Sequence, residues 1–349
     1  MSNHAILISA TDEDLPGSVP VGLARYRGFR EMARGGGGLL RSAVDRVSGR
    51  TVAIKTLSEE VAHVREHRRR FLREARITAQ LQHPNTVPVY DIGDDPREGL
   101  FFTMKRISGE NLFQILVRIA RGDAETAKRY PPQTRAEIVA DACQALAYAH
   151  VRGVIHRDVK PENIWVGNFG EVILLDWGVA KVWGHADDNT PLRHGQTRHP
   201  EERFDGPETP KNAETPKNAE TTTDAEANPG SGAMESQLRT LTGGGQRPGT
   251  PLYMSPEQIE GHRTIDERSD IFSAGVCLYE ALAIREPFRG QSTDETFRNI
   301  KTKTPEPPSK NARQTPLSDR WDAVVMKAIE KHPARRYQSM RDLIAGIRG

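Results

Sequence analysis

The sequence predicts an α+β protein in which a strand-rich N-terminal part is followed by a longer and mainly helical part. Two observations support this division. Up to residue 106 the apolar runs are short and rich in β-branched and aromatic residues, which is typical of strands. Beyond residue 106 apolar residues recur at helical spacing over longer stretches. The chain is therefore expected to form two lobes, one over residues 25–106 and one over 107–349.

The N-terminal part is expected to hold an antiparallel sheet with one helix. Residues 1–24 are predicted to be a disordered tail, because the acidic run Asp12-Glu13-Asp14 is followed by turn-forming Pro and Gly. A tight turn is predicted at Gly35–Gly38, and His83-Pro84 is expected to end the helix, since proline disfavours a helical residue before it. The predicted strands are 26–33, 39–45, 51–55, 87–92 and 100–105, and the predicted helix is 59–81.

The C-terminal part is predicted to be built from amphipathic and apolar helices. In the first of them Val139, Ala142, Leu146 and Ala149 share one face. Two short apolar strands are expected to follow it, joined by a turn at Gly167–Gly170. The predicted helices are 134–151, 271–283, 319–331 and 338–347, and the predicted strands are 163–166 and 172–175.

Residues 184–247 are predicted to be a disordered insertion in this second lobe. Between Leu192 and Leu238 the only large apolar residues are Phe204 and Met234. The hexapeptide Glu-Thr-Pro-Lys-Asn-Ala occurs at 208–213 and again at 214–219, as expected of a duplication in an unconstrained loop. Such a stretch cannot bury enough apolar surface to offset its chain entropy.

Composition excludes several classes of function. With 49 Lys and Arg against 47 Asp and Glu, the net charge of +2 gives no general electrostatic case for binding nucleic acid. Cys143 and Cys277 both lie in apolar helical patterns, which fits a reducing compartment. No run of 18 apolar residues or secretory signal occurs, so we expect a cytoplasmic location without a membrane segment. A membrane anchor beyond residue 349 of a longer parent chain stays open.

The glycine turn and a nearby lysine suggest a phosphate site. Glycines at Gly35–Gly38 would let backbone N–H groups approach an anion, although an ordinary hairpin turn has the same composition. Lys55 follows in the apolar strand 51–55, where a charge usually needs a partner. Glu74 of the next helix is the candidate. Because Arg70 and Arg73 flank it, a surface ion pair within the helix is the alternative.

A second constellation lies between residues 154 and 178. Asp158 can accept a proton from a hydroxyl group. Lys160 can steady a transferring phosphoryl group. Asn163 can give an oxygen ligand to a hard cation, and Asp176 at the end of an apolar strand can give another. An aspartate at a strand end is often only a turn residue. Asp176, however, comes after Asp158, Lys160 and Asn163, and this combination makes a functional role the better interpretation.

The order and spacing of these motifs resemble the eukaryotic-type protein kinases, specifically the bacterial serine/threonine branch. The resemblance covers about residues 26–347, apart from the insertion. It rests on Val52–Lys55, Glu74 in Phe-Leu-Arg-Glu-Ala, His156–Asn163, Asp176-Trp177-Gly178, Gly249–Glu257 and Asp270 in Ser-Asp-Ile-Phe-Ser-Ala-Gly. It implies a bilobal protein-kinase-like fold, ATP with Mg²⁺ or Mn²⁺ as cofactors, and transfer of the γ-phosphate to Ser or Thr hydroxyls of proteins.

The resemblance implies a role for each catalytic position. Lys55 would hold the α- and β-phosphates and pair with Glu74, and Asp158 would be the catalytic base. Asn163 and Asp176 would bind Mg²⁺, and Lys160 marks the Ser/Thr branch. Thr250 would hydrogen-bond near the base and this lysine. Glu257 would pair with Arg336, and Asp270 would anchor the catalytic loop from below.

The resemblance also implies a nucleotide pocket. Met104 would line its back, and backbone groups of Lys105 and Ile107 would hydrogen-bond adenine. The full set of predicted nucleotide-binding residues is Gly35, Gly36, Gly38, Leu40, Ala53, Lys55, Met104, Lys105, Ile107 and Trp165. Three positions depart from the family pattern: Ala33 replaces the first glycine, Trp177 replaces a phenylalanine, and Trp165 replaces a smaller aliphatic residue at the adenine floor.

A phosphorylation switch is the last implied feature. Arg157 precedes the base, and in this family such an arginine gathers a phosphate from the activation loop. Thr242, and after it Thr240, are the predicted phosphorylation sites, with exposed loop threonines as the alternative. The basic run 68–76 is expected to be a solvated helix face, or in part a second holder of that phosphate.

Two other functions stay open at this point. The departures at Ala33, Trp165 and Trp177 leave room for a pseudokinase that binds nucleotide and acts as a scaffold. A small-molecule kinase of the same fold is disfavoured by Gly249–Glu257, which resembles a protein-substrate groove. Expected partners are protein substrates with Ser or Thr acceptors and a transient dimer for autophosphorylation, without nucleic acid.

Overall fold

The chain folds around a small antiparallel sheet at one end and a larger helical bundle at the other. The structure, a computed structural model, describes residues 20–35, 38–182, 252–262, 265–312 and 317–349. Within these ranges the two parts are arranged as a sheet-based N-terminal lobe and a helical C-terminal lobe. This confirms the predicted α+β fold with two lobes.

The N-terminal lobe holds a five-stranded sheet in the order β1-β2-β3-β5-β4, with every neighbouring pair antiparallel. Its elements are β1 (Tyr26–Gly35), β2 (Gly38–Asp45), β3 (Thr51–Thr56), α1 (Glu59–Ala62), α2 (Arg65–Gln80), β4 (Val89–Asp95) and β5 (Gly99–Lys105). The single helix predicted over 59–81 is therefore wrong in one respect. Val64 is extended, at φ −85° and ψ 113°, and divides it in two. A β-branched residue has a low helix preference, so a break there costs little.

Apolar packing fixes α2 on the sheet. Phe71 and Ala75 are buried against Leu100 and Phe102 of β5, and the rings of Phe71 and Phe102 lie 5.2 Å apart. Because residues three and four apart share a helix face, this contact also sets the direction of Glu74, which lies between them. Packing of the helix thus decides which charged residue faces the sheet.

Ordered structure begins earlier than the predicted boundary at residue 25. A 3-10 turn covers Gly22–Arg25, and Leu23 is buried in a cluster with Tyr26, Ile54 and Phe101. The apolar contact of Leu23 ties this segment to the sheet, so residues 22–24 do not belong to a disordered tail. Residues 1–19 and 183–251, which hold the rest of the predicted tail and the predicted insertion, lie outside the described residues.

The C-terminal lobe is built around α5 and α7, which pack against each other. Nearly all of α7 and more than half of α5 is buried. The helices are α3 (Leu112–Ala120), α4 (Ala124–Arg129), α5 (Pro132–Val151), α6 (Pro256–Ile259), α7 (Arg268–Ala283), α8 (Thr293–Thr302), α9 (Pro308–Asn311), α10 (Asp322–Ala328) and α11 (Met340–Arg348). The strands are β6 (Glu110–Asn111), β7 (Val154–Ile155), β8 (Ile164–Val166), β9 (Val172–Leu174) and β10 (Lys181–Val182). Further 3-10 turns cover Pro161–Asn163, Asp319–Trp321 and Pro333–Arg335.

One helix of this lobe differs from the sequence expectation. The helix predicted over 319–331 starts as a 3-10 turn and ends at Ala328. In the parts of the chain that the structure describes, every helix is too short or too polar to cross a bilayer.

A buried carboxylate closes the turn after β2. Asp45 has a fully buried side chain and accepts hydrogen bonds from Arg25 Nε at 2.9 Å, Arg25 Nη2 at 2.8 Å and Ser48 Oγ at 2.6 Å. Burial opposes the charge, but Arg25 and Ser48 outweigh it and hold the pKa of Asp45 well below its usual range. A carboxyl with a lowered folded-state pKa contributes stability above its unfolded pKa and loses it as the pH falls.

We expect Asp45→Asn to lower the free energy of unfolding by about 2–3 kcal/mol at pH 7, since it removes charged hydrogen bonds from a buried group. The deficit should shrink by about 1 kcal/mol at pH 3, because the unfolded carboxyl of the unmutated protein is then mostly protonated. Urea unfolding at the two pH values measures both effects. Asp94→Asn, which breaks the exposed Arg68–Asp94 pair, is the control and should cost much less. An equal deficit for Asp45→Asn at both pH values would contradict the assignment.

Candidate active site

A buried ion pair joins β3 to α2. Lys55 Nζ lies 2.5 Å from Glu74 Oε1, and both side chains are largely buried. Burial opposes the lysine charge, but the carboxylates of Glu74 and Asp176 outweigh it and raise the pKa of Lys55. The pairing predicted from sequence is therefore present, and the surface pair within α2 is not formed by Glu74.

The glycine turn lies directly beside this pair. Gly35 and Gly38 face each other across the β1–β2 hairpin, and Leu40 of β2 is paired with Lys55 of β3. A Cβ on Gly38 would lie 2.1 Å from the carbonyl oxygen of Thr56, and its φ is +149°, so the position requires glycine. Ala33, the departure from the family pattern, is paired with Leu40 on the same hairpin.

The loop after β7 brings an acid, a lysine and an amide together. Lys160 Nζ lies 2.7 Å from Asp158 Oδ2. Asn163 Nδ2 donates to the Asp158 carbonyl oxygen at 2.8 Å and to its Oδ2 at 3.2 Å. Because the amide nitrogen of Asn163 is used in this way, its oxygen is the atom left for a cation. The three residues predicted from the sequence spacing thus form one cluster.

Asp270, at the start of α7, fixes the backbone of this loop from below. Its buried carboxylate accepts from the backbone N–H groups of His156 and Arg157, each at 2.8 Å, and lies 2.8 Å from His150 Nε2. Arg157 has φ +70°, which is costly for a residue with a side chain. The two backbone bonds to one carboxylate hold it there.

Asp176 follows β9 and faces the same cleft. It has φ +64°, and its Oδ1 accepts from the Gly178 N–H at 3.3 Å. His156 links the two loops: its Nδ1 accepts from the Asp158 N–H, so the ring proton belongs on Nε2, which donates to Leu175 O at 3.0 Å. The Asp158 and Asp176 segments are thereby held to one histidine.

The side chain of Trp177 fits into the interior of the protein. Its side chain is fully buried, and its ring packs edge-on against His156 at 4.5 Å between centroids. Among the described residues its indole Nε1 has no hydrogen-bond partner. The larger ring therefore packs on the histidine that joins the Asp158 and Asp176 segments.

The surroundings shift the pKa values of the two acids of the cleft in opposite directions. Burial raises the pKa of Asp158, and repulsion from Asp176 adds to this rise against the attraction of Lys160. Burial also works against ionisation of Asp176, but Lys55 and Lys160 outweigh it and lower its pKa. Two carboxyl groups in one cleft with opposite shifts are suited to different roles, one as a proton acceptor and one as a permanent anion.

Three of the residues predicted to line the nucleotide pocket, Ala53, Met104 and Trp165, lie on β3, β5 and β8. Met104 is paired with Ala53 across the sheet and is half-buried. The Lys105 N–H donates to Pro88 O at 2.9 Å, so its carbonyl is the backbone group left for a base. Trp165 donates from Nε1 to Ser108 O at 3.0 Å, so the indole of the predicted pocket floor is fixed to the segment that includes Ile107.

A buried ion pair supports the far side of the site. Arg336 Nη1 and Nη2 lie 2.7 and 2.8 Å from the two carboxylate oxygens of Glu257, as the sequence predicted. Ser269 Oγ donates to the same carboxylate at 2.6 Å. Burial opposes the charge of Glu257, but Arg336 outweighs it and lowers its pKa. The pair ties α6 to the segment before α11.

Sequence reasoning missed two residues of this site. His150 binds Asp270, and Gln258 donates from Nε2 to Arg157 O at 2.9 Å. A lone histidine in an apolar helix and a glutamine after a proline give no signal of a partner more than a hundred residues away. Gly36, Thr240, Thr242 and Thr250 lie outside the described residues, so their predicted roles stay predictions.

We expect Asp270→Asn to lower the free energy of unfolding by about 2–4 kcal/mol, because one amide oxygen cannot accept the bonds that two carboxylate oxygens accept. Amide hydrogen exchange of His156 and Arg157 should become faster. Asp294→Asn makes the same change in the first turn of α8 at an exposed position and controls for the helix dipole. Equal effects of the two substitutions would show that Asp270 does not anchor the loop.

Comparisons with known proteins identify the family. A model of the protein kinase domain matches residues 26–214 and 236–345. The chain is 32% identical over 328 residues to a probable serine/threonine-protein kinase, CE0033, of Corynebacterium efficiens, covering 93% of this chain and 41% of that protein. It is 29% identical to the serine/threonine-protein kinase PknD of Protochlamydia amoebophila and 30% identical to PknD of Chlamydia trachomatis. These two matches cover 94% and 92% of this chain but only 30% and 31% of the relatives' own length. Together with the bilobal fold and the paired charges of the cleft, these matches show that the chain belongs to the protein kinase domain family.

Proposed function

We propose that the chain is an ATP-dependent serine/threonine protein kinase domain. The observation that carries the proposal is the cluster of Asp158, Lys160 and Asn163 on one loop. Asp176 interacts electrostatically with Lys160 of this cluster and with Lys55, which is paired with Glu74. A scaffold that only binds nucleotide needs no proton acceptor in this cleft, whereas a kinase does.

Asp158 is the group suited to take the proton of the attacking hydroxyl. The oxygen of a Ser or Thr hydroxyl bonds to the γ-phosphorus of ATP while the bond to ADP breaks, and the hydroxyl proton passes to Asp158. Lys160, bonded to the same carboxylate, steadies the phosphoryl group as it moves. Lys55, held in place by Glu74, binds the phosphates that remain with ADP.

The donor set of the cleft fits Mg²⁺. Asn163 presents an amide oxygen and Asp176 an ionised carboxylate, which are the oxygen ligands that Mg²⁺ prefers. The described residues contain no group of three or more His, Cys, Asp or Glu side chains that could hold a metal alone, so phosphate oxygens of the nucleotide would complete the shell. A bound Mg²⁺ would supply charge neutralisation at the phosphates.

The pseudokinase alternative predicts nucleotide binding without transfer. It draws on Ala33, Trp165 and Trp177, but each of these leaves the charged groups of the cleft in place. The alternative therefore differs from our proposal in one measurable respect, the transfer of phosphate.

We expect Asp158→Asn to reduce transfer of ³²P from ATP to a general protein substrate by about 10²–10⁴-fold, since the amide cannot accept the hydroxyl proton. Nucleotide binding should survive, because Asp158 does not hold the phosphates. Radiometric transfer and calorimetry of ATP binding measure the two effects separately.

Asp176→Ala is the matched control for this experiment. It should lose the Mg²⁺-dependent part of ATP affinity that Asp158→Asn keeps, as seen by titration with and without EDTA. Full transfer by Asp158→Asn would refute the base assignment. Absence of transfer in the unmutated protein, with ATP bound, would favour the pseudokinase.

We further propose a switch by autophosphorylation at Thr242, with Thr240 second. A phosphothreonine adds a charge of about −1.5 to −2 and three strong acceptors, which suit an arginine such as Arg157. The backbone of Arg157 is fixed by Asp270 and Gln258, so its side chain starts from a defined point. A phosphothreonine bound to Arg157 would hold the segment that carries it beside the neighbouring Asp158.

Thr242→Ala should markedly lower the transfer rate, and mass spectrometry of active protein should find phosphate at Thr242. Thr222→Ala, in the same stretch of chain, is the control and should leave the rate unchanged. A double Thr240→Ala and Thr242→Ala variant with an unchanged rate, and no phosphate at either site, would reject the switch.

A further inference from the structure

The side-chain amide of Gln258 joins α6 to the loop that carries Asp158. Its Nε2 donates to the carbonyl oxygen of Arg157 at 2.9 Å, and its Oε1 accepts from the backbone N–H of Ser255 at 2.9 Å. Because an N–H can donate only to the oxygen of an amide, the Ser255 contact fixes the orientation of the Gln258 amide. The nitrogen of this half-buried side chain is therefore directed at Arg157.

The peptide group between Arg157 and Asp158 is held at both ends. Its carbonyl oxygen accepts from Gln258, and its N–H donates to Nδ1 of His156 at 3.2 Å. A planar peptide group turns through the ψ angle of the residue before it and the φ angle of the residue after it. Both contacts therefore constrain the φ angle of Asp158, on which the direction of its side chain depends.

The element that carries Gln258 is itself fixed to the C-terminal lobe. Glu257, the residue before it, is bonded to both Nη atoms of Arg336 and to Ser269 of α7. The side chains of Glu257 and Arg336 are buried, so this charged pair holds α6 in place away from solvent. Gln258 thus reaches the Arg157 carbonyl from an element that other contacts already position.

A local role for Gln258 is the alternative to a role in catalysis. Ser255 and Gln258 form a capping box at the start of α6, in which the Gln258 side chain needs only its oxygen. The bond from Nε2 spans 101 positions of the sequence and contributes nothing to that cap. Because the two roles use different atoms of one side chain, a substitution can separate them.

We infer that Gln258 is a positioning residue for phosphate transfer, which holds the Arg157 carbonyl and thereby orients the carboxyl group of Asp158. The inference rests on the proposed function, in which Asp158 takes the proton of the attacking hydroxyl. A base must lie within hydrogen-bond reach of that proton, and a misplacement of about 1 Å can cost about 10²-fold in rate. A single neutral hydrogen bond adds little to stability, so its loss should be seen mainly in the rate.

Gln258→Glu separates the two roles in the full chain, since its carboxylate can still accept from Ser255 but cannot donate to Arg157. We expect kcat for transfer from ATP to a general protein substrate to fall by about ten-fold or more. KM for ATP should change by less than about two-fold, because the groups that hold the phosphates and the metal are untouched. The midpoint of thermal unfolding should fall by no more than about 2–4 °C, the shift that one hydrogen bond corresponds to.

Carbonyl NMR tests the contact without catalysis. With ¹³C-carbonyl arginine and ¹⁵N-aspartate, a signal through the shared peptide bond arises only from Arg-Asp pairs. The chain has two of these, Arg157-Asp158 and Arg341-Asp342. In Gln258→Glu the first signal should shift, because its carbonyl loses a donor, and the second should stay where it is.

Gln114→Glu is the matched control. Gln114 occupies the same position in the capping box of α3, where its Oε1 accepts from the Asn111 N–H at 3.1 Å, but its Nε2 donates to no group in the described part of the chain. This substitution should leave the rate and both signals unchanged. An unchanged kcat in Gln258→Glu, an unshifted Arg157-Asp158 signal, or an equal loss of rate in Gln114→Glu would overturn the inference. Absence of transfer in the unmutated protein would instead refute the proposed function, and the positioning role with it.

Discussion

The carboxylate of Asp270 is the interaction on which the rest of the site depends. It is fully buried at the start of α7, and its charge is compensated by His150 and by two backbone N–H groups. A buried carboxylate without such donors would be strongly unfavourable, so its presence fixes the backbone that supplies them. The left-handed conformation of Arg157 follows from this requirement, and Asp158 is placed by the residue before it.

Charge balance around the cleft extends this constraint to the other lobe. Asp158 and Asp176 repel each other; Lys160 offsets this repulsion at both acids, and Lys55 offsets it at Asp176. Lys55 is in turn held by Glu74, whose direction is set by the packing of Phe71 and Ala75. The position of α2 therefore affects the protonation of Asp176 through a chain of contacts that begins with apolar burial.

The interior of the protein accommodates the two tryptophans that replace smaller residues of the family pattern. Trp177 fills a buried site against His156, and Trp165 is tied to Ser108 through its indole N–H. Neither displaces a charged group. The cost of the larger Trp177 ring is visible instead in its Nε1, which has no partner among the described residues. Loss of a hydrogen bond at a buried donor is a local cost in stability.

The sequence by itself determined the two-lobed α+β fold, and its spacing grouped Asp158, Lys160 and Asn163, because residues within six positions of one loop must lie close together. It also paired Lys55 with Glu74 and Glu257 with Arg336 through the family resemblance. Only the tertiary structure decided that Val64 divides the first helix and that Leu23 orders the chain before residue 25. It alone placed His150 on Asp270 and Gln258 on the Arg157 carbonyl. These contacts join residues about a hundred or more positions apart. They depend on the packing of α5, α6 and α7, which a local sequence pattern does not reveal.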